Sequence, residues 1–374
     1  HGIGGATTNG AFLHGVYLYE AFLNTAGGNV SVTGEAGSGS SASGDYTGVH
    51  LDYSTISAGG SGTVEVTGTA GSAVDSQTLI GVDVRFDSQI SSSGGNVTVI
   101  GTGGNTNHVG VSNGAGVRLI ADGTITAGGT GSVSVTGTGV GGTSAGHEGV
   151  VINGSGFESN LARIGAANGL TTITAISGNS SSHALVVGIN HAGRLTTGTN
   201  NPITIHADSI SIGGQGIVSS GTGDTTILPR TAGTRIDLGG ADVLSGSPLT
   251  LGLTDAELDR ITAGTLLVGN GSSGPLTISS ALTHGNHLTL ATGGSVTINE
   301  GLTLAADKNL LIEASDFSAG TISLATANAD LGTSGSGSIT IEAGRNLVLS
   351  PGSSITSVNG AISLTANRGP YPAS

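Results

Sequence analysis

Gly28-Asn29-Val30-Ser31-Val32-Thr33-Gly34 returns as Gly62-Thr63-Val64-Glu65-Val66-Thr67-Gly68, as Gly95-Asn96-Val97-Thr98-Val99-Ile100-Gly101 and as Gly131-Ser132-Val133-Ser134-Val135-Thr136-Gly137. From Val30 to Val64, Val97 and Val133 the steps are 34, 33 and 36 residues. Looser copies follow at Thr172-Ile173-Thr174-Ala175 and Pro202-Ile203-Thr204-Ile205. Alternation of period two buries every second side chain of a strand. One such strand cannot cover its own apolar face, so copies must stack on one another.

Working outward, each copy follows a Gly-rich corner, such as Ala26-Gly27-Gly28 or Ser93-Gly94-Gly95. Before the corner stands a lone aliphatic residue: Leu23, Ile56, Ile90 or Ile125. Earlier still comes a Gly-Val strand: Gly15-Val16-Tyr17-Leu18, Gly48-Val49-His50-Leu51, Gly81-Val82-Asp83-Val84 and Gly116-Val117-Arg118-Leu119. Gly suits corners because it accepts positive φ without steric cost. Three short strands per repeat predict an all-β parallel β-helix, or solenoid, with coils about 4.8 Å apart. General crossover chirality makes it right-handed. Around residues 101–200 the register stays open, because Gly110 and Gly116 both fit the strand start.

Three regions are expected. Residues 1–230 form coils of ~33 residues, whose surplus length at 34–47, 68–80, 101–107 and 137–146 predicts loops projecting from one edge. Residues 231–274 form a seam with a short helix near 254–261, where Thr254 and Glu257 have capping-box spacing. Residues 275–374 form a slimmer β-helix of brief strands, from Leu276–Ile278 to Ile362–Leu364.

Composition narrows the function. Gly contributes 70 of 374 residues, only 9% are charged, and 36% are hydrophobic, enough for a thin core of small β-formers. No Cys is present, so disulfides and thiolate metal sites are excluded. The absence of Met suggests a piece of a longer product. A net charge of −14 with Lys308 as the sole Lys leaves no basic stripe for nucleic acid. No apolar run approaches the ~20 residues of a membrane span, so no membrane insertion is expected.

The second half resembles the large secreted bacterial exoproteins of the filamentous haemagglutinin type, exported by two-partner secretion. The resemblance rests on His287-Leu288-Thr289-Leu290-Ala291-Thr292-Gly293-Gly294-Ser295-Val296-Thr297-Ile298, on Ser338-Ile339-Thr340-Ile341-Glu342-Ala343-Gly344-Arg345-Asn346-Leu347-Val348-Leu349, and on Ile236-Asp237-Leu238-Gly239-Gly240 through Leu253-Thr254-Asp255-Ala256-Glu257-Leu258. It implies a right-handed β-helix, a secreted or cell-surface location, and adhesion or aggregation.

Stacking the Gly-Val strands places Tyr17, His50, Asp83 and Arg118 in one outward column, and Tyr19, Asp52 and Arg85 in the next. With Tyr53 and Phe86 they offer a glycan- or partner-binding face; the plainer expectation is a solvated ladder of ion pairs worth about 0–1 kcal/mol each. His108, His147 and His183 each precede an aliphatic strand and would form a histidine column if in register. Their loop lengths differ, and the reading assigns no metal and no cofactor. No nucleophile motif, phosphate loop or zinc-helix motif occurs. The chain is therefore expected to be non-enzymatic: an adhesive shaft segment contacting a host or neighbouring cell surface, glycans or other copies of itself. The alternatives are a self-assembling subunit of an extracellular filament or matrix, as homo-oligomer, and, behind it, a β-helical polysaccharide lyase or hydrolase.

Overall fold

The computed structural model describes residues 1–4, 12–39, 44–72, 78–105, 114–141, 146–154, 161–198 and 200–367. It divides into two compact units, His1–His206 with Ser211–Gly221, and Ala207–Ile210 with Thr222–Ser374. Among the described residues, no helix is long and apolar enough to cross a membrane.

The first unit is a parallel β-helix with three sheets. Its signature sheet stacks Val30–Glu35, Val64–Thr69, Val97–Thr102, Val133–Thr138, Thr171–Ile176 and Ile203–His206 in parallel. The register is the one the repeat predicts: Val32 opposite Val66, Val66 opposite Val99, Val99 opposite Val135, then Ile173 and Ile205. These side chains point inward and are buried. The Gly-Val sheet stacks Val16–Tyr19, Val49–Asp52, Val82–Arg85, Val117–Ile120, Val150–Asn153 and Leu185–Val187. Val117 pairs with Val82, so Gly116 opens that strand and the open register is resolved. The lone aliphatics stand on complete strands, Phe22–Thr25, Thr55–Ala58, Gln89–Ser92 and Thr124–Ala127, with Ile56, Ile90 and Ile125 at 0% exposure.

The corner glycines Gly60 and Gly129 take the expected positive φ, 53° and 50°, while the glycines that close the signature strand serve close packing. Gly34, Gly68, Gly101 and Gly137 lie where the signature strand meets the opening of a Gly-Val strand. A Cβ there would come within 2.1, 2.0, 2.0 and 2.0 Å of the carbonyl oxygens of Gly48, Gly81, Gly116 and Gly149. Two backbones pack directly on each other, and only a missing side chain permits it. The left-handed positions beside the Gly-Val sheet are occupied instead by Glu20, Tyr53, Phe86 and Ala121 (φ 47°, 49°, 51° and 46°).

The projecting loops are also corrected at their roots. Tyr46 and Leu79 are fully buried and pack with Leu13, Ala36 and Ala70. Asp45 bridges Phe12 on one coil and Thr78 on another. These roots form a second layer outside the Gly-Val sheet; the loop centres lie outside the described residues.

In the second unit, the faces again stack in parallel: Thr265–Val268, His287–Thr292, Leu310–Ala314, Ile339–Ala343 and Ile362–Thr365; Leu276–Ile278, Val296–Ile298, Ile322–Leu324 and Leu347–Leu349; and Leu282–His284, Leu302–Leu304, Asp330–Thr333 and Ser354–Ser357. The expected helix is the single turn Asp255–Leu258. The Glu257 carboxylate accepts from the Thr254 backbone N–H at 3.0 Å and from its hydroxyl at 2.8 Å. Around it the chain doubles back, so that Thr250–Leu253 pairs with Arg235–Leu238 on the side away from Leu276–Ile278.

Several buried positions of this unit are polar, His284 among them. His284 pairs with Leu304 and is buried, with Asn286 Nδ2 3.1 Å from its Nε2 and no hydrogen-bond partner for Nδ1. Burial holds its pKa below the usual value, despite Asp259 and Asp255. The folded state thus prefers neutral imidazole, and its contribution is complete above the unfolded value of about 6.5 and declines as pH falls. Melting of the full chain at about pH 7.5 and about pH 5 should show a lower second-unit transition in acid, and H284L should flatten that difference.

Candidate functional site

The site grows from the register of the Gly-Val sheet. Tyr17 lies opposite His50, His50 opposite Asp83, and Asp83 opposite Arg118; beside them run Tyr19, Asp52 and Arg85. Both columns have the predicted membership, but neither is a solvated ladder. Asp83 is 0% and His50 1% exposed, and Asp52 and Arg118 are also buried. At its start the column is covered by the loop roots, which bring His14 and Asp45 against His50. Beyond Arg118 the column turns apolar: Val151 and Val186 pack with Ala115.

Inside this thin layer the charges are paired bidentately. Arg118 donates from Nε and a terminal nitrogen to the Asp83 carboxylate at 3.0 and 2.7 Å. Arg85 donates likewise to Asp52 at 2.6 and 3.2 Å, and the Tyr17 hydroxyl donates to Asp52 at 3.3 Å. Burial alone would raise the Asp83 carboxyl, but the Arg118 guanidinium overrides it and brings the pKa down to about 2. Burial likewise opposes the charge on Arg85, yet the Asp52 hydrogen bond leaves its pKa raised. Burial and the Asp52 charge raise the Tyr17 phenol. Planar two-pronged pairing of this kind suits Arg and would not survive replacement by Lys.

At the edge of the sheet these buried pairs give way to an exposed aromatic ridge. Tyr53 donates its backbone N–H to the Phe86 carbonyl at 3.0 Å, which stacks the two left-handed corners coil upon coil. The rings are 5.4 Å apart and 15° from parallel. Tyr19 meets Tyr53 edge-on at 6.5 Å, Tyr17 lies 6.3 Å from Tyr19, and the Arg85 guanidinium sits 5.3 Å from the Phe86 ring centroid. Tyr17, Tyr19, Tyr53 and Phe86 are 49, 55, 48 and 37% exposed. A bulky residue at positive φ is uncommon and costs about 1–3 kcal/mol. Two residues beyond Tyr53 the chain enters the next sheet, whose outer side forms an open trough of about 590 Å³ lined by Thr55, Ser57, Gln89, Ser91, Thr124 and Arg163.

Comparison of the chain with protein-family models, curated proteins and solved structures finds no match.

Among the histidines singled out in the sequence, His108 lies outside the described residues. His147 is buried, with the Ser182 hydroxyl accepting its backbone N–H at 3.0 Å, and His183 is half-buried. Among the described residues neither joins a group of three ligand atoms close enough to share an ion. Sequence reasoning missed His14 and Asp45. Their only signal was distance from the strand start, His14 one residue before Gly15 and Asp45 three before Gly48.

Proposed function

We propose that this chain is an adhesive shaft segment of a large secreted or cell-surface repeat protein, of the filamentous haemagglutinin kind, and that the aromatic ridge of its first unit is the glycan contact. The observation that carries the reading is the pair Tyr53 and Phe86: bulky rings kept in the left-handed region, stacked along the coil axis and half exposed. Strain of that kind persists where the surrounding structure and a function maintain it. Exposed ring faces suit the apolar faces of sugars, and the neighbouring trough offers hydroxyl and amide groups for sugar hydroxyls. In-register coils supply a rigid base for both.

The lyase or hydrolase alternative gains little support. It needs carboxylates free to exchange protons, whereas Asp52 and Asp83 are each held by a guanidinium. The self-assembling alternative would bring the strand edges and aliphatic side chains of an end coil against another chain. Sedimentation over a concentration series distinguishes it: reversible end-to-end growth supports assembly.

The adhesive reading is tested by replacing the strained rings with Gly in the double variant Y53G/F86G. Relief of left-handed strain offsets the lost packing and entropy, so stability should change by less than about 1 kcal/mol. Each ring contributes about 1 kcal/mol of sugar contact, so retention of chain-coated beads on a polysaccharide panel should fall about tenfold or more. Unchanged retention on every glycan would sink the ridge as the contact.

A further inference from the structure

Above the aromatic ridge, His14, Asp45 and His50 bring three side chains together from two coils. His14 Nδ1 lies 3.8 Å from Asp45 Oδ1, and His50 Nδ1 lies 3.7 Å from Asp45 Oδ2. One ligand atom from each residue falls within 4.8 Å of the others. The rings meet edge-on, with centroids 4.8 Å apart.

These separations are too long for hydrogen bonds. Both Nδ1 atoms are buried without a hydrogen-bond partner, and His50 is 1% exposed. A buried, unsatisfied polar atom is costly, and here two of them face one carboxylate. Atoms that ligate one tetrahedral ion at about 2.0–2.2 Å stand roughly 3.3–3.6 Å from each other. The cluster is thus slightly wider than a closed site, by an amount that small side-chain rotations would take up.

The surroundings suit the same chemistry. His50 Nε2 lies 3.3 Å from Asp52 Oδ2, the carboxylate held by Arg85, but makes no hydrogen bond to it. A carboxylate hydrogen-bonded to the second ring nitrogen is the usual support of a metal-binding imidazole, and closing the gap between Nε2 and Asp52 would supply it. Thr47 Oγ1 donates to Asp45 Oδ1 at 2.5 Å and orients that carboxylate.

We infer that His14 Nδ1, Asp45 and His50 Nδ1 form a binding site for a divalent cation of the zinc class, with the fourth position left to water. Two imidazoles and one carboxylate select Zn²⁺ and its late transition-metal neighbours over Ca²⁺ and Mg²⁺, which prefer all-oxygen sets. The ion would tie the first coil, through His14, to the loop root of the second, through Asp45.

The test uses the full chain stripped with chelator and titrated with Zn²⁺, and separately with Co²⁺, whose visible absorption reports tetrahedral nitrogen and oxygen ligation. One tight equivalent is expected, with a rise in the first-unit melting temperature on Zn²⁺ addition and no comparable effect of Ca²⁺. H14Q and D45N should each weaken Zn²⁺ binding by on the order of 100-fold, abolish the Co²⁺ bands and leave the metal-free fold intact by circular dichroism. Should either variant fail to fold, H50Q provides the same reading. Absence of binding tighter than about 10 μM, about 7 kcal/mol, would overturn the site. So would unchanged affinity and Co²⁺ spectra in folded variants, which would place the ion at other histidines.

Discussion

The variant R118M is expected to destabilise the first unit by about 3–5 kcal/mol at neutral pH, because it leaves the Asp83 carboxylate at 0% exposure without its bidentate donor. Arg85 stays 4.0 Å from Asp83 and compensates only in part. The pH dependence identifies the cause. In the wild type the Asp83 pKa is depressed to about 2, below the unfolded value near 3.9. Its contribution is present above about pH 4 and is lost as pH falls through about 2. In R118M burial is opposed only by the more distant Arg85 and by His50, so the carboxyl protonates at a higher pH than in the wild type and the penalty shrinks as acid is added. Wild type and variant should therefore begin to converge above about pH 4, where the variant's raised carboxyl protonates, and finish by about pH 2, where the wild type loses its pair. The double variant D83L/R118M should recover most of the loss, since a buried ion pair exchanged for apolar residues of similar volume is often neutral. The column already turns apolar at Val151 and Val186. Tyrosine fluorescence follows the transition, because Tyr17, Tyr19, Tyr46 and Tyr53 all belong to the first unit. A loss of under 1 kcal/mol, or one independent of pH, would contradict the buried-pair account.

The second large effect concerns the close-packed glycines. A Cβ at Gly68 would meet the Gly81 carbonyl oxygen at 2.0 Å and its carbon at 2.7 Å. Both are backbone atoms in a hydrogen-bonded stack and cannot swing aside. G68A should cost at least the 1–3 kcal/mol typical of overpacking, and G68V should prevent the second and third coils from docking. Gly28 is the internal control. It opens the signature on the first coil with nothing within 4 Å of its would-be Cβ, whereas its counterparts Gly62, Gly95 and Gly131 would meet a carbonyl oxygen of the coil before at 2.3, 2.2 and 2.0 Å. G28A should therefore melt within about 0.5 kcal/mol of wild type. Equal effects at Gly28 and Gly68 would mean that close backbone approach is not what requires glycine at Gly68.

Those two glycines show where sequence reading was strong and where it failed. The repeat set the strand register residue for residue, since a one-residue slip would turn Val64, Val66 and their counterparts out of the core. The same register delivered the Tyr17–His50–Asp83–Arg118 column. Two things stayed hidden because they depend on backbone paths through segments of unequal length. One is the layer of loop roots, whose only hint was Tyr46 and Leu79-Ile80 within otherwise small and polar stretches. The other is the distinction between a glycine needed for close approach and one needed for a turn, which composition does not reveal. The left-handed corners at Tyr53 and Phe86 ran against residue preference altogether. In the second unit the short strands were legible, but the doubling back of Thr250–Leu253 was not, because parallel pairing fixes neighbours and not their order.

The most direct test of the central claim is retention of the chain on a polysaccharide or cell-derived matrix as its density on beads is raised. An adhesive shaft makes weak individual contacts that multiply on display, so retention should rise steeply with density and fall at every density in Y53G/F86G. Retention absent at all densities would contradict the account, as would release of shortened glycan into solution, the mark of an enzyme.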